Sequence, residues 1–229
     1  MDADRIRQRA DEIRRRIHQL GGVGVQLVAV TKSWGAEAMI NAFQAGCDGL
    51  GENYAQELIQ KIAFVEPSQR LPVHFIGQIQ SNKVKSLIDL VDVWQSVDRA
   101  SIVDEIIKRS ATRTNAQFAS IMLQVNTTGE PSKAGCDPND IPRLLARART
   151  GGLLVSGLMT IGPTSGDVAL TRRAFGLLND LANDLGLLER SMGMSGDFEI
   201  AVEQGATLVR VGTALFGHRP SRLTPDEIK

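Results

Sequence analysis

Eight short apolar runs, each followed by a stretch of helical character, succeed one another along this chain, and that alternation restricts its fold more than any single motif. The runs fall at residues 26–31, 48–51, 74–76, 93–97, 119–125, 155–160, 188–192 and 208–211. Helical pattern occupies 37–45, 54–64, 82–90, 100–111, 139–148, 168–185 and 197–204, with a short piece from Thr213. Leu27-Val28-Ala29-Val30 and Ile121-Met122-Leu123-Gln124-Val125 run on without alternation. Strands buried on both faces read that way, so the pattern predicts a parallel sheet covered by helices. Eight units favour one closed (β/α)8 TIM barrel; an open doubly wound sheet is the alternative, because the seventh run is weak.

Ahead of the first run, Ile6, Ala10, Ile13, Ile17 and Leu20 recur at spacings of four and three among charged residues, and Gly21-Gly22 follows them. The spacing predicts an extra N-terminal amphipathic helix, either covering the barrel base or serving as a partner surface. No proline- or serine-rich linker interrupts the 229 residues, so residues 1–229 read as a single domain.

Charge and cysteine usage exclude several functions. Lysine plus arginine and aspartate plus glutamate each number 26, leaving no net field to hold nucleic acid or an anionic membrane. The two cysteines, Cys47 and Cys136, stand far apart and outside any metal-ligand spacing. The first 22 residues lack an apolar core segment, and no run is long enough to span a bilayer, which predicts a cytoplasmic protein.

Lys32 stands at the end of the first apolar run, where a desolvated amine near another cation becomes a nucleophile able to condense with an aldehyde; the plain alternative is a lysine snorkelling at a strand end. Ser191-Met192-Gly193-Met194-Ser195-Gly196 is small and flexible where a strand hands over to a helix, and Gly212-Thr213 repeats the arrangement one unit later. Such turns let backbone N–H groups approach a phosphate, although Ser195 alone reads equally as a helix cap. Arg210 alternates with Val209 and Val211, so it points into the barrel if the valines face the helices. Buried there it needs a partner: a core carboxylate such as Glu52, or the ring nitrogen of a pyridoxal cofactor.

Asn53 either supports a ligand or caps the helix beginning at Tyr54. His74, at the start of its strand, reads as a satisfied structural histidine, and Gln78, Gln80, Asn82 and Lys83 follow in the same loop region. The three histidines show no metal-ligand grouping, Asp197 stands where a nucleophile elbow needs glycine, and no Walker sequence is present.

In order, Ala29-Val30-Thr31-Lys32, Gly51-Glu52-Asn53-Tyr54, His74-Phe75-Ile76-Gly77 through Asn82-Lys83, Asn126 with Glu130, Lys133 and Gly135, Gly157-Leu158-Met159, Ser191 to Ser195, and Arg210-Val211-Gly212-Thr213 through Phe216-Gly217 span nearly the whole chain. The ordered set resembles the pyridoxal phosphate homeostasis proteins, also described as alanine racemase N-terminal-domain-like proteins. The resemblance implies a barrel holding pyridoxal 5′-phosphate as a Schiff base on Lys32, with Ser195, Gly212 and Thr213 at the phosphate. It places Arg210 at the pyridine nitrogen and Asn53 and Met159 along the pocket. This chain departs from the family at Ser33-Trp34-Gly35 and at Val73, positions near the mouth.

The resemblance further implies a monomeric regulator of vitamin B6 with no robust catalysis, serving apo-enzymes that need the cofactor. The racemases add a second domain carrying a second acid/base, and this sequence ends at Lys229, soon after the eighth run. The rival expectations are a weak pyridoxal-dependent racemase and a Schiff-base aldolase acting on a sugar phosphate.

Overall fold

The structure, a computed structural model, describes residues 2–114 and 119–218. Eight parallel strands close into a barrel in chain order: β1 (Gln26–Val30), β2 (Gly49–Glu52), β3 (Val73–Phe75), β4 (Val93–Val97), β5 (Ser120–Gln124), β6 (Leu154–Met159), β7 (Glu189–Ser191) and β8 (Leu208–Val211). The weak seventh run is a strand of three residues, and its pairing with β6 and β8 closes the sheet. The open-sheet alternative falls with it.

The helices are α1 (Ala3–Gln19), α2 (Ala36–Gln44), α3 (Ala55–Ile62), α4 (Ser81–Leu87), α5 (Ala100–Ser110), α6 (Ile141–Thr150), α7 (Val168–Asp184), α8 (Phe198–Glu203) and α9 (Thr213–Phe216). Helix α1 is capped by Asp2, whose side chain accepts from Arg5 N, and buries Ile6, Ala10, Ile13 and Ile17. Leu20, expected on the same stripe, falls at the C-cap after the helical periodicity has ended and is exposed. The stripe packs on α2, α8 and α9, members of the outer helical layer, and Arg14 of the same helix reaches Gly46 O and Asp48 in the segment that leads into β2. Arg9 fixes one side of this contact by donating to Leu215 O at 2.8 Å.

Strand alternation divides the side chains into a lumen set and a helix-facing set. Val28, Met122, Met159 and Leu208 form a separate buried cluster in the lumen, whereas Leu27, Ala29, Leu50, Phe75, Trp94, Val209 and Val211 join the larger core under the helices. The inward residues of β2 are glycines because bulky neighbours occupy the space. A Cβ on Gly49 would lie 2.7 Å from His74 Nε2, and one on Gly51 would lie 3.1 Å from Ile76 Cδ1. The same alternation turns Glu52 outward, toward α3. The end of the chain, on which the expectation of no second domain rests, lies outside the described residues.

Candidate functional site at the strand ends

Lys32 follows the end of β1 after one intervening residue, Thr31, and is half-buried. The loop that presents it is held from below by a residue that sequence reasoning missed. Lys61 of α3 is fully buried and donates to Thr31 O at 2.8 Å and to Trp34 O at 3.2 Å, the carbonyls that bracket Lys32-Ser33. Its charge is met by Glu52 at 2.6 Å and Glu57 at 2.8 Å. Glu57 also accepts from Ser33 N at 2.6 Å, and Thr31 Oγ1 donates to Glu52 at 2.5 Å. Burial raises the Glu52 carboxyl above its ordinary range, and the Lys61 charge opposes the shift. Ser33 adopts φ +63, a conformation costly for a residue with a Cβ, and Glu57 stabilises it through the backbone N–H. The available sequence signal was a lysine at 61 on the apolar stripe of α3, one turn from Glu57 and beside Leu58 and Ile62.

Arg210 points into the barrel and is buried, as strand alternation predicted. Glu52 is not its partner: that carboxylate faces the opposite side of the sheet and belongs to Lys61. The guanidinium donates through Nη1 to Ser191 Oγ at 2.5 Å and through Nη2 to Thr160 O at 2.7 Å, both uncharged acceptors. Burial lowers its pKa to about 10, partly opposed by Asp197, so it remains a cation at neutral pH. A buried cation held, among the described residues, by neutral acceptors retains the capacity to stabilise an electron-rich group placed against it.

Ser195 does not cap α8, which begins after Asp197; that aspartate accepts from Met194 N at 2.6 Å instead. Ser195 Oγ accepts from Gly212 N at 3.3 Å and Ala214 N at 3.2 Å. Two backbone donors converging on one oxygen give the donor geometry a phosphate oxygen requires, with the exposed Thr213 hydroxyl beside them. Gly193 permits the preceding turn, with φ +89 and no room for a Cβ, which would meet Ala201 Cβ at 2.5 Å. Gly193 O in turn accepts from Arg210 N at 2.9 Å, tying this turn to β8.

Met159 ends β6 within the lumen cluster. Asn53 does not cap α3: Tyr54 is the N-cap and makes no side-chain cap bond, and Asn53 Oδ1 is buried with no hydrogen-bond partner among the described residues. Asn53, Gln78, Gln80 and Lys83 line a 370 Å³ cleft. The segments that follow β5 and β6 meet across a 680 Å³ cavity lined by Asn126, Glu130, Pro163 and Arg173. Glu130 joins them by accepting from Thr164 N at 3.1 Å and Thr164 Oγ1 at 2.6 Å, which holds its pKa at about 2. Lys133 donates to Gly162 O across the same seam.

His74 lies in the middle of β3, buried in the lumen. Its Nδ1 stands 2.7 Å from Gln95 Nε2, and Gln95 Oε1 accepts from Ser191 Oγ at 2.6 Å, joining the ring to Arg210. Burial, then the Arg210 charge, lowers its pKa from 6.5 to about 4. Across this interval the unfolded chain takes up a proton that the folded one refuses. Stability is therefore complete above pH 6.5 and falls as the pH drops toward 4, by roughly 3 kcal/mol in total. Urea melts of the protein and of His74→Asn at pH 7 and pH 4.5 measure this contribution as the part of the pH dependence that the variant lacks. Equal dependence in both would show that His74 does not contribute.

The residues assembled here, Lys32 beside a two-donor anion cradle and a buried cation aimed into the lumen, match the needs of a phosphorylated aldehyde with an aromatic nitrogen. Comparison with known proteins points the same way. The family model described as the alanine racemase N-terminal domain matches residues 1–220. The pyridoxal phosphate homeostasis protein of Pseudomonas aeruginosa is 42% identical over 200 residues, covering 85% of this chain and 85% of its own. The human protein of that name is 33% identical over 233 residues, covering 94% and 85%. The structure of Synechococcus elongatus PipY with PLP bound aligns with a TM-score of 0.81 at 33% identity, over 93% of this chain and 100% of that one.

Proposed function

This chain belongs to the alanine racemase N-terminal domain family, and from that premise we propose that it binds pyridoxal 5′-phosphate as a Schiff base on Lys32 and serves vitamin B6 homeostasis without robust catalysis. When bound, the cofactor supplies an electrophilic aldehyde carbon and an electron-withdrawing ring. The chain's own residues supply the rest. Lys32 is the amine, and the Lys61 network fixes its loop. Ser195 Oγ with the N–H groups of Gly212 and Ala214, and the Thr213 hydroxyl, form the phosphate end. Arg210 faces the pyridine nitrogen, and Asn53 and Met159 bound the pocket.

The single observation that carries the reading is Arg210, a buried cation presented to the lumen with no carboxylate within ion-pair distance among the described residues. A guanidinium has no proton to lose at neutral pH and no acceptor, so it donates to the ring nitrogen and keeps that nitrogen unprotonated. A ring in that state is a weak electron sink.

Borohydride reduction of the loaded protein, followed by peptide mass spectrometry, is expected to place the cofactor on Lys32 alone; a modified lysine elsewhere overturns the assignment. Incubation with L-alanine in deuterium oxide is expected to give no rapid α-proton exchange, and rapid exchange would favour the racemase reading. Ser195→Ala removes a hydroxyl at the phosphate end and is expected to weaken binding about tenfold while leaving the imine band intact, measured by equilibrium titration.

Among the described residues no helix is long and apolar enough to cross a membrane. Cytoplasmic location, a monomeric state and delivery to pyridoxal-dependent apo-enzymes belong to the same proposal. Gel filtration with light scattering tests the second, and transfer to a purified apo-enzyme tests the third.

A further inference from the structure

We propose that His74 is a positioning residue for Arg210: acting through Gln95 and Ser191, it fixes the guanidinium in the orientation presented to the cofactor pocket. The inference rests on the reading of Arg210 given above.

The direction of every hydrogen bond in this chain is forced from one end. A guanidinium has donors and no acceptor, so Arg210 Nη1 must give its proton to Ser191 Oγ across 2.5 Å. The one hydroxyl proton of Ser191 then goes to the neighbour at 2.6 Å, which must be an acceptor and is Gln95 Oε1. The Gln95 amide therefore turns its Nε2 toward His74 and donates to Nδ1 across 2.7 Å. Nδ1 must carry a lone pair, so the imidazole is neutral with its proton on Nε2, which stands against Gly49.

The relay crosses the lumen from β8 through β7 and β4 to β3, and all four side chains are buried. The charge bearing on His74 is that of Arg210 itself; Gln95 on β4 and Gly49 on β2 are neutral neighbours. Among the described residues Arg210 thus has two anchors, one to the backbone at Thr160 O and one to a side chain. The second keeps its direction only while His74 offers an acceptor. An imidazolium, or an apolar residue at 74, takes that acceptor away. Gln95 and Ser191 then reorient, and the guanidinium pivots about its remaining bond.

The first test needs no cofactor. The chain has three histidines, His18, His74 and His218, so nitrogen-resolved NMR assigns each imidazole from one variant apiece. His74 is expected to be neutral and protonated on Nε2 from pH 8 down to about 5. In Gln95→Glu the carboxylate accepts from both sides, and the His74 midpoint is expected to rise by about two units or more. A proton on Nδ1, a midpoint near the ordinary histidine value, or no response to Gln95→Glu overturns the relay.

The second test reads pyridoxal 5′-phosphate binding and the emission maximum of the bound cofactor. His74→Asn retains an amide oxygen acceptor and is expected to bind within about threefold of the parent protein, whereas His74→Leu loses about tenfold and shifts the emission. Equal binding and emission in both variants overturns the positioning role while the relay stands. If the parent protein shows the expected imidazole spectrum but takes up no cofactor, the proposed function fails first, and the positioning role with it.

Discussion

Lys32→Ala protein titrated with pyridoxal 5′-phosphate is expected to show no imine absorption band at any cofactor concentration. Residual binding persists, because the charge-assisted contacts at the phosphate end and at Arg210, worth about 1.5–3 kcal/mol each, do not depend on the amine. The expected signature is therefore a free-aldehyde spectrum combined with measurable quenching of protein fluorescence. Trp34 packs against Phe216 of α9 with ring centroids 5.9 Å apart, close in sequence to both Lys32 and Thr213, and provides the reporter. A band that survives in Lys32→Ala would place the covalent link on another residue and would remove the premise of the proposed function. A band lost together with all binding would mean that the anion cradle contributes nothing by itself.

Lys61→Met is expected to be the most destabilising single substitution among the charged residues described here. Methionine fills much of the volume, but it leaves Glu52 buried without its countercharge and strips the donor from Thr31 O and Trp34 O. Removing one partner of a buried ion pair costs about 3–5 kcal/mol. For a chain of this size that lowers the melting temperature by roughly 6–20 °C. The double variant Lys61→Met with Glu52→Gln removes both charges and is expected to recover part of the loss, since the cost resides in the uncompensated carboxylate. Differential scanning calorimetry of the three proteins decides it. If the double variant is no more stable than Lys61→Met, the missing carbonyl donors dominate the cost. If Lys61→Met melts with the parent, the network is not structural. Because the same nitrogen holds the Lys32 loop, the surviving folded fraction of Lys61→Met is also expected to form its imine band more weakly.

The strands and helices were legible in the sequence because burial on both faces writes a strand as an unbroken apolar run. Lys32 stood out because it ends such a run, and the direction of Arg210 followed from its two valine neighbours. What the sequence hid was the identity of partners. Glu52 looked available to Arg210, and only the barrel geometry places them on opposite faces of the sheet. Ser195 looked like a cap for the helix two residues on, whereas closure of β8 beside β7 brings Gly212 N and Ala214 N to it from a neighbouring unit. His74 read as structural by itself. Its connection to Arg210 runs through Gln95 and Ser191, which lie 21 and 96 positions from their partners in the relay and carry no local signal. Lys61 was the exception: a lysine on an apolar helical stripe is a visible anomaly, and its meaning is a buried charge with a task.

The packed lumen has a consequence for traffic. Val28, Met122, Met159, Leu208 and His74 fill the centre of the barrel as a packed core, the kind such barrels have in place of a pore. A molecule tethered at Lys32 as proposed would arrive and depart through the mouth at the strand ends. On that proposal an acceptor collecting it would wait at the same threshold, and a cul-de-sac of this shape would make loading and hand-over take turns.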